Sequence, residues 1–265
     1  MRFRRLKSLL RRWDILAFRR STGIFLPEEE LPLLVRRLCT KASPLVVDGG
    51  AHRGDFVHAI RKHLPGAHFV CFEPDPQLSA ELQRNFAGDH AVSVIAAALA
   101  DQPGTARLHI NHERATNSLL ASTSQATGHL RELTATESLV TVEVTTIDVA
   151  LAAAGHAGAD IVKLDLQGYD YKALQGATRT LQSASVVICE VWFAPTYEGA
   201  ADYLDVCTLL AGHGFSLYSL TTLHYSRVDR LLWADAIFVP RRSVAWQAPF
   251  THEGQVSGNG TTEGA

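Results

Sequence analysis

Leu45-Val46-Val47-Asp48-Gly49-Gly50-Ala51-His52-Arg53-Gly54 is the stretch on which the fold of this chain turns. An apolar run ends in a carboxylate and opens at once into a glycine-rich turn. The same plan recurs at Phe69-Val70-Cys71-Phe72-Glu73-Pro74 and at Ile161-Val162-Lys163-Leu164-Asp165. In an open parallel sheet, ligands bind beyond the carboxyl ends of the strands. Three such acids therefore converge on one crevice. Glycine in the first turn lets a ligand approach the backbone closely.

On both sides of these runs the chain alternates helix and strand. Helical spacing covers 28–41, with Leu31, Leu34, Val35 and Leu38 on one face, and Pro44 introduces the strand 45–48. Helix 55–63, strand 68–72, helix 76–86 and strand 92–96 follow. After a break, helix 147–154, strand 160–165, helix 170–181, strand 185–191 and helix 200–212 resume the rhythm. Segments 214–220 and 233–239 predict a closing antiparallel pair. This is an α/β pattern: an open, mostly parallel sheet with helices on both faces and an antiparallel C-terminal strand pair. Between 102 and 145, Arg107-Leu108-His109-Ile110 and Val140-Thr141-Val142-Glu143-Val144 alternate like half-exposed antiparallel strands around a Ser/Thr-rich stretch. That region reads as an insertion or lid. The resulting plan is a basic arm at 1–27, a main α/β domain at 28–240, and a polar, glycine-rich tail at 241–265 expected to be disordered.

Bulk properties narrow the classes. A net charge of −2 over 265 residues does not mark a nucleic-acid binder. Cys39, Cys71, Cys189 and Cys207 are far apart and form no C-x-x-C pair, which predicts free, buried thiols in a reducing compartment. No apolar run reaches the roughly 18 residues of a membrane span. Residues 1–20 hold seven Arg and one Lys against one Asp. Phe3, Leu6, Leu10, Trp13 and Ala17 follow a helical stripe, which suits either a charged helix packed on its own domain or an interfacial helix that contacts anionic membrane. The expected location is the cytoplasm, with peripheral contact at the inner face of the membrane. The oligomeric state is not readable.

The glycines of the first turn do not keep the spacing of a dinucleotide fingerprint. Asp48, directly before the turn, would repel a pyrophosphate and attract a cation. S-adenosylmethionine carries an ammonium and a sulfonium and no phosphate, so the acid favours that cofactor over NAD. Glu73, at the end of the second run, suits both ribose hydroxyls. Gly54 and Pro74 shape the two turns, and the small Ala97 and Ala98 leave room for an adenine ring. Lys163 and Asp165 lie two apart on a central strand and face one side. A buried Lys needs a partner, which Asp165 or Glu190 supplies. Asp165 is the candidate to orient or deprotonate an acceptor hydroxyl, with Lys163 and Glu190 beside it. Trp192 stands among aromatics that form a platform for sugars or flat groups, and Ser118 is a candidate substrate contact. Two carboxylates can hold Mg²⁺, but no ligand spacing marks a metal site, so none is expected.

Taken together the motifs resemble the FkbM family of S-adenosylmethionine-dependent methyltransferases, from about Val46 to Pro240. The resemblance rests on 48–54, Phe72-Glu73-Pro74-Asp75-Pro76, Ala97-Ala98-Leu99-Ala100-Asp101 and Asn117-Ser118-Leu119. It rests equally on Thr146-Ile147-Asp148, Lys163-Leu164-Asp165-Leu166-Gln167-Gly168-Tyr169-Asp170 and Leu174-Gln175-Gly176-Ala177. It implies a class I methyltransferase (Rossmann-like) fold and O-methylation of sugar hydroxyls or secondary metabolites. It implies cofactor contacts at Asp48, Gly50, Ala51 and Glu73, and Asp165 near the transferring methyl. His52 stands where the family often has Asn, and Gln167 and Asp170 replace two frequent Glu residues. The reading is an O-methyltransferase for a hydroxyl of a glycan, glycolipid or secondary metabolite. The rivals are a membrane-tethered cofactor-binding module without turnover and an NAD-linked oxidoreductase.

Overall fold

A computed structural model describes residues 27–126, 129–194 and 196–248. Seven strands form one sheet in the order β3-β2-β1-β7-β8-β10-β9. They are β1 (Leu45–Gly49), β2 (His68–Phe72), β3 (Val92–Ile95), β7 (Ile161–Leu164), β8 (Val186–Trp192), β9 (Phe215–Tyr225) and β10 (Leu231–Pro240). From β3 to β8 every pairing is parallel. The expected antiparallel pair exists, but it is not appended: β10 inserts between β8 and β9, antiparallel to both. The chain runs from β1 towards β3 on one side and from β7 towards β9 on the other. The order thus reverses between β1 and β7, where an open α/β sheet forms its crevice. Asp48 lies directly opposite Lys163 across that junction.

Strict alternation along each strand divides the core between two faces. Val47, Val162, Leu164, Val187 and Val191 pack with Ile147, Leu151, Leu174, Leu181, Val206 and Leu210 of the helices Ile147–Ala153, Asp170–Gln175, Thr178–Ser183 and Tyr203–Gly212. Val46, Ile161, Val186 and Ile188 meet Val35, Val57, Ile60, Leu82 and Phe86 of the helices Pro27–Leu38, Asp55–Arg61 and Pro76–Asn85 and the residue that caps the last. Each fully buried Val, Leu or Ile contributes about 1.5–3 kcal/mol, so this alternation fixes the register.

The segment read as an insertion carries a second sheet. In it β5 (Gly104–Asn111) pairs antiparallel with β6 (Thr136–Thr145), and β4 (Ala98–Leu99) pairs parallel with β6. The helix expected over 170–181 is broken in two at Gly176. A Cβ at Gly176 would lie 2.2 Å from the Ala100 carbonyl oxygen, so only glycine lets the chain pass there. Asp148 then accepts the amides of Arg179 and Thr180 and starts the second helix.

The first residues of the segment read as a tail, 241–248, are among the described residues. Arg241 Nε donates to Ser216 Oγ (2.9 Å), Arg242 Nη2 donates to the Gln182 carbonyl (2.9 Å), and Val244–Gln247 forms a short helix. The arm at 1–20 and residues 249–265 lie outside the described residues. Among the described residues no helix is long and apolar enough to cross a membrane. Cys39, Cys71 and Cys189 are buried, Cys207 is half-buried, and all four are free.

Candidate active site at the sheet reversal

Asp48 is completely buried at the end of β1. Its nearest cation is the Lys163 ammonium, 3.3 Å from Oδ1. Among the described residues neither carboxylate oxygen has a geometric hydrogen-bond partner. Burial pushes the Asp48 carboxyl above the usual carboxylate range, and Lys163 partly offsets this. Burial also opposes the charge on Lys163, but Asp48 and Asp165 outweigh it and hold the amine protonated. The ammonium stands 3.8 Å from Asp165 and 3.4 Å from each of the Gly49 and Gly50 carbonyls. The principal partner of Lys163 is therefore Asp48. Glu190, one of the two partners expected from sequence, is engaged elsewhere.

Glu73, at the end of β2, is buried and held by backbone alone. Oε2 accepts the His52 amide (2.8 Å) and Oε1 the Asp75 amide (2.9 Å). A carboxylate has about four acceptor positions, so two remain for a ligand. Burial raises its pKa to about 7 against the pull of those two amides. His52 reaches Glu73 because its backbone is left-handed, φ 50°. Asn and His tolerate that region better than most residues, which accounts for His52 where the family often has Asn.

The glycines of the first turn are also required by the chain itself. A Cβ at Gly50 would sit 2.1 Å from the Asp165 carbonyl oxygen, so the close approach there is to the chain leaving β7. A Cβ at Gly54 would lie 2.5 Å from the Phe86 ring, and Gly54 caps the helix Asp55–Arg61 at φ 92°. Gly54 thus serves packing. Ala51 is buried among Val57, Leu82 and Phe86 while its amide donates to the Phe72 carbonyl. Pro74 is half-buried between Glu73 and Asp75. Ala98 packs into the core of the small sheet with Leu108 and Val142, which corrects its reading as space beside a ring; Ala97 is buried next to it.

Across the junction, side chains do the holding. Asp165 follows β7 with its side chain 43 % exposed. Gln167, left-handed at φ 51°, donates from Nε2 to Asp165 Oδ1 (2.8 Å) and to Glu190 Oε2 (3.2 Å). Its Oε1 accepts the Tyr197 hydroxyl (2.8 Å). A neutral amide suits this place because it donates to two carboxylates, which a third carboxylate cannot do. Glu190 is buried, and burial together with Asp165 and Asp170 drives its pKa well above the ordinary value. Asp170 accepts the amides of Leu166 and Glu190 and ties the β7 loop to β8. Burial raises the Asp170 pKa to about 7.

Trp192 and Ser118 are both engaged by the chain's own contacts. Trp192 is buried, with one flank stacked on Trp233 (5.2 Å between centroids) and the other against the edge of Tyr197 (5.3 Å), so it offers no open platform. His224 continues the row beyond Trp233 at 4.4 Å. The Ser118 hydroxyl donates to the Gln167 carbonyl (2.8 Å) and accepts the Leu120 amide (3.0 Å). It is a structural tie. The sequence assigns no role to Gln167 or Asp75 in the site, although both lie in its motifs, and it places Tyr197 among the aromatics after Glu190 without showing that its hydroxyl holds Gln167. Among the described residues no group of three or more His, Cys, Asp or Glu side chains is disposed to hold a metal ion.

Residues 48–217 match the family model of the methyltransferase FkbM domain, which covers more than half of the chain, and the protein belongs to that family. The 2-O-methyltransferase NoeI of Sinorhizobium fredii (strain NBRC 101917 / NGR234) is 25 % identical over 178 residues, covering 65 % of this chain and 73 % of that protein. Among solved structures, a methyltransferase FkbM from Methylobacillus flagellatus KT aligns with a TM-score of 0.49 at 16 % identity, over 75 % of this chain. This chain spans 44 % of that structure's length. Magnesium protoporphyrin IX methyltransferase (ChlM) from Synechocystis PCC 6803 with bound SAM aligns with a TM-score of 0.45 at 13 % identity, over 80 % of this chain and 76 % of the other.

Proposed function

We propose that this FkbM-family methyltransferase transfers a methyl group from S-adenosylmethionine to a hydroxyl of a glycan, glycolipid or secondary metabolite. One observation carries the cofactor assignment: a fully buried carboxylate at Asp48 that, among the described residues, is met by the Lys163 ammonium at Oδ1 and has no partner at Oδ2. An unsatisfied buried carboxylate is costly unless a donor or cation completes it. A cofactor with an ammonium and a sulfonium completes it, and a pyrophosphate does not. Glu73 would hold the ribose hydroxyls with its two remaining acceptor positions, and Gly50, Ala51 and Pro74 shape the turns around it. When bound, the cofactor supplies an electrophilic methyl group.

The chain's own residues supply alignment and a proton acceptor. Asp165, half-exposed and oriented by Gln167, accepts the proton of the incoming hydroxyl. Holding reactants in line contributes about 7–11 kcal/mol of a displacement barrier, and general-base assistance adds about 10²–10⁴-fold. Lys163 keeps Asp48 and Asp165 from repelling each other across the junction. Oxygen as the acceptor atom is favoured by the kinship with a 2-O-methyltransferase. Calorimetry with S-adenosylmethionine and with NAD tests the cofactor: binding of NAD alone overturns the assignment. Mass spectrometry for a product heavier by one methylene, formed from cell extract, tests transfer; no such product with any acceptor points to the non-catalytic module.

A further inference from the structure

We propose that residues 114–118 form a strap across the cofactor crevice, and that Asp75 is a positioning residue which couples this strap to Glu73. The inference rests on the cofactor reading above and extends it to a segment and a residue so far without a role.

The argument begins with strand order. β2 and β7 flank β1 on opposite sides. Asp75 lies in the loop after β2 and Gln167 in the loop after β7. The segment touches both. Arg114 Nη1 donates to Asp75 Oδ2 (2.6 Å), and Asn117 Nδ2 donates to the same oxygen (3.0 Å). At the other end Ser118 Oγ donates to the Gln167 carbonyl (2.8 Å), and the Tyr197 hydroxyl, whose one proton is shared with the nearer Gln167 Oε1, lies 3.2 Å from the Thr116 carbonyl. A chain pinned to the loops after β2 and β7 has to cross the loop after β1. That loop carries Asp48 and Gly50.

The strap is rigid at its base. Asn111 Nδ2 donates to the Thr116 carbonyl (2.6 Å), and the Asn111 amide donates to Asn117 Oδ1 (2.8 Å). His109 and Ser118 exchange backbone bonds of 2.8 and 3.4 Å. Asn117 therefore uses one end of its amide on the small sheet and the other on Asp75. Asp75 in turn does three things at once. Its amide holds Glu73 Oε1, its Oδ1 caps the helix Pro76–Asn85 through the Gln77 and Leu78 amides, and its Oδ2 receives the strap. Its side chain is 1 % exposed, while that of Arg114 is 33 % exposed. Hydrogen bonds to a buried charge are the stronger kind, so the latch is firm when closed. Releasing Arg114 and Asn117 leaves the buried Asp75 carboxylate without its two side-chain donors and loosens the turn that fixes the Glu73 carboxylate. The strap thereby acts on the life of the bound state rather than on encounter.

The experiment follows S-adenosylmethionine and S-adenosylhomocysteine binding to the full chain by stopped flow, with melting temperatures in parallel. Asn117→Ala and Arg114→Met remove the latch without touching the helix cap. Asp75→Asn keeps the helix cap, since Asn caps helices as well as Asp, and the backbone bond to Glu73, but turns an NH2 towards Arg114 and Asn117 and so removes both latch bonds at once. Release is expected to quicken about tenfold in Asn117→Ala and Arg114→Met, and at least as much in Asp75→Asn, with association changed less than about threefold. Release at the wild-type rate in all three folded variants overturns the strap while the cofactor assignment stands. Lower melting temperature with unchanged release assigns these residues to stability alone and also overturns it. Failure of the wild type to bind either ligand overturns the cofactor reading and the strap together.

Discussion

Glu73 and Asp165 end two strands that flank β1, yet they are secured by different means. Glu73 is buried and accepts two backbone amides from its own turn and the neighbouring one. Asp165 is half-exposed and oriented by the side-chain amide of Gln167, which is itself held by Tyr197. Backbone donors persist through most substitutions, whereas a side-chain bridge depends on each partner. On the proposed reading, the cofactor side of the crevice is thus built for constancy and the acceptor side from replaceable parts.

Four measurements press on this contrast, in order of expected effect. Asp48 belongs to both sides, so Asp48→Ala should damage both. It strips Lys163 of its nearest counter-charge, and breaking a buried pair costs about 3–5 kcal/mol. The melting temperature should fall and cofactor binding should vanish; a stable, binding Asp48→Ala protein would show that the junction is not where the two sides meet. Asp165→Asn should separate them. Methyl transfer should slow by about 10²-fold or more, while S-adenosylmethionine affinity by calorimetry stays within about threefold. Unchanged turnover removes Asp165 from the chemistry.

Glu73→Ala should do the reverse and weaken cofactor affinity by about tenfold to a hundredfold, the worth of charge-assisted hydrogen bonds. Equal affinity in a folded variant excludes Glu73 from the site. The smallest effect concerns pH. The Glu73 carboxyl is raised from 4.5 to about 7 by burial, so the folded chain retains a proton that the unfolded chain has already lost. Stability from this group is full below the unfolded value and declines as pH climbs towards 7. Glu73→Gln removes the titration. Its melting temperature should therefore gain on that of the wild type between pH 5 and 7; parallel curves would show that Glu73 titrates normally.

The same contrast explains what was legible in the sequence. Leu45–Gly54 and Phe69–Pro74 are contiguous, and strand, turn and acid follow one another within ten residues. Strand periodicity and the placing of Asp48 and Glu73 could be read directly from them. The acceptor side is assembled from partners far apart in sequence: Gln167 with Glu190 is separated by 23 residues and Gln167 with Tyr197 by 30. No local pattern announces such pairs. Glycines misled in a similar way. Gly50 and Gly54 announce a crowded turn, but only tertiary structure shows that the crowding comes from the Asp165 backbone and the Phe86 ring. Trp192 announced an aromatic surface, and the strand pairing of β8 with β10 turned that surface inward against Trp233.

The fully buried Asp48, answered mainly by Lys163, bears on what happens after turnover. In the proposed reaction the donor arrives with a positive sulfur and departs as a neutral thioether, while the acid beneath it keeps its place. The attraction that favours the fresh molecule is thus partly cancelled by the reaction itself. Exchange of used for unused donor is biased by charge alone, and inhibition by the spent form should be weaker than its near-identical shape would suggest.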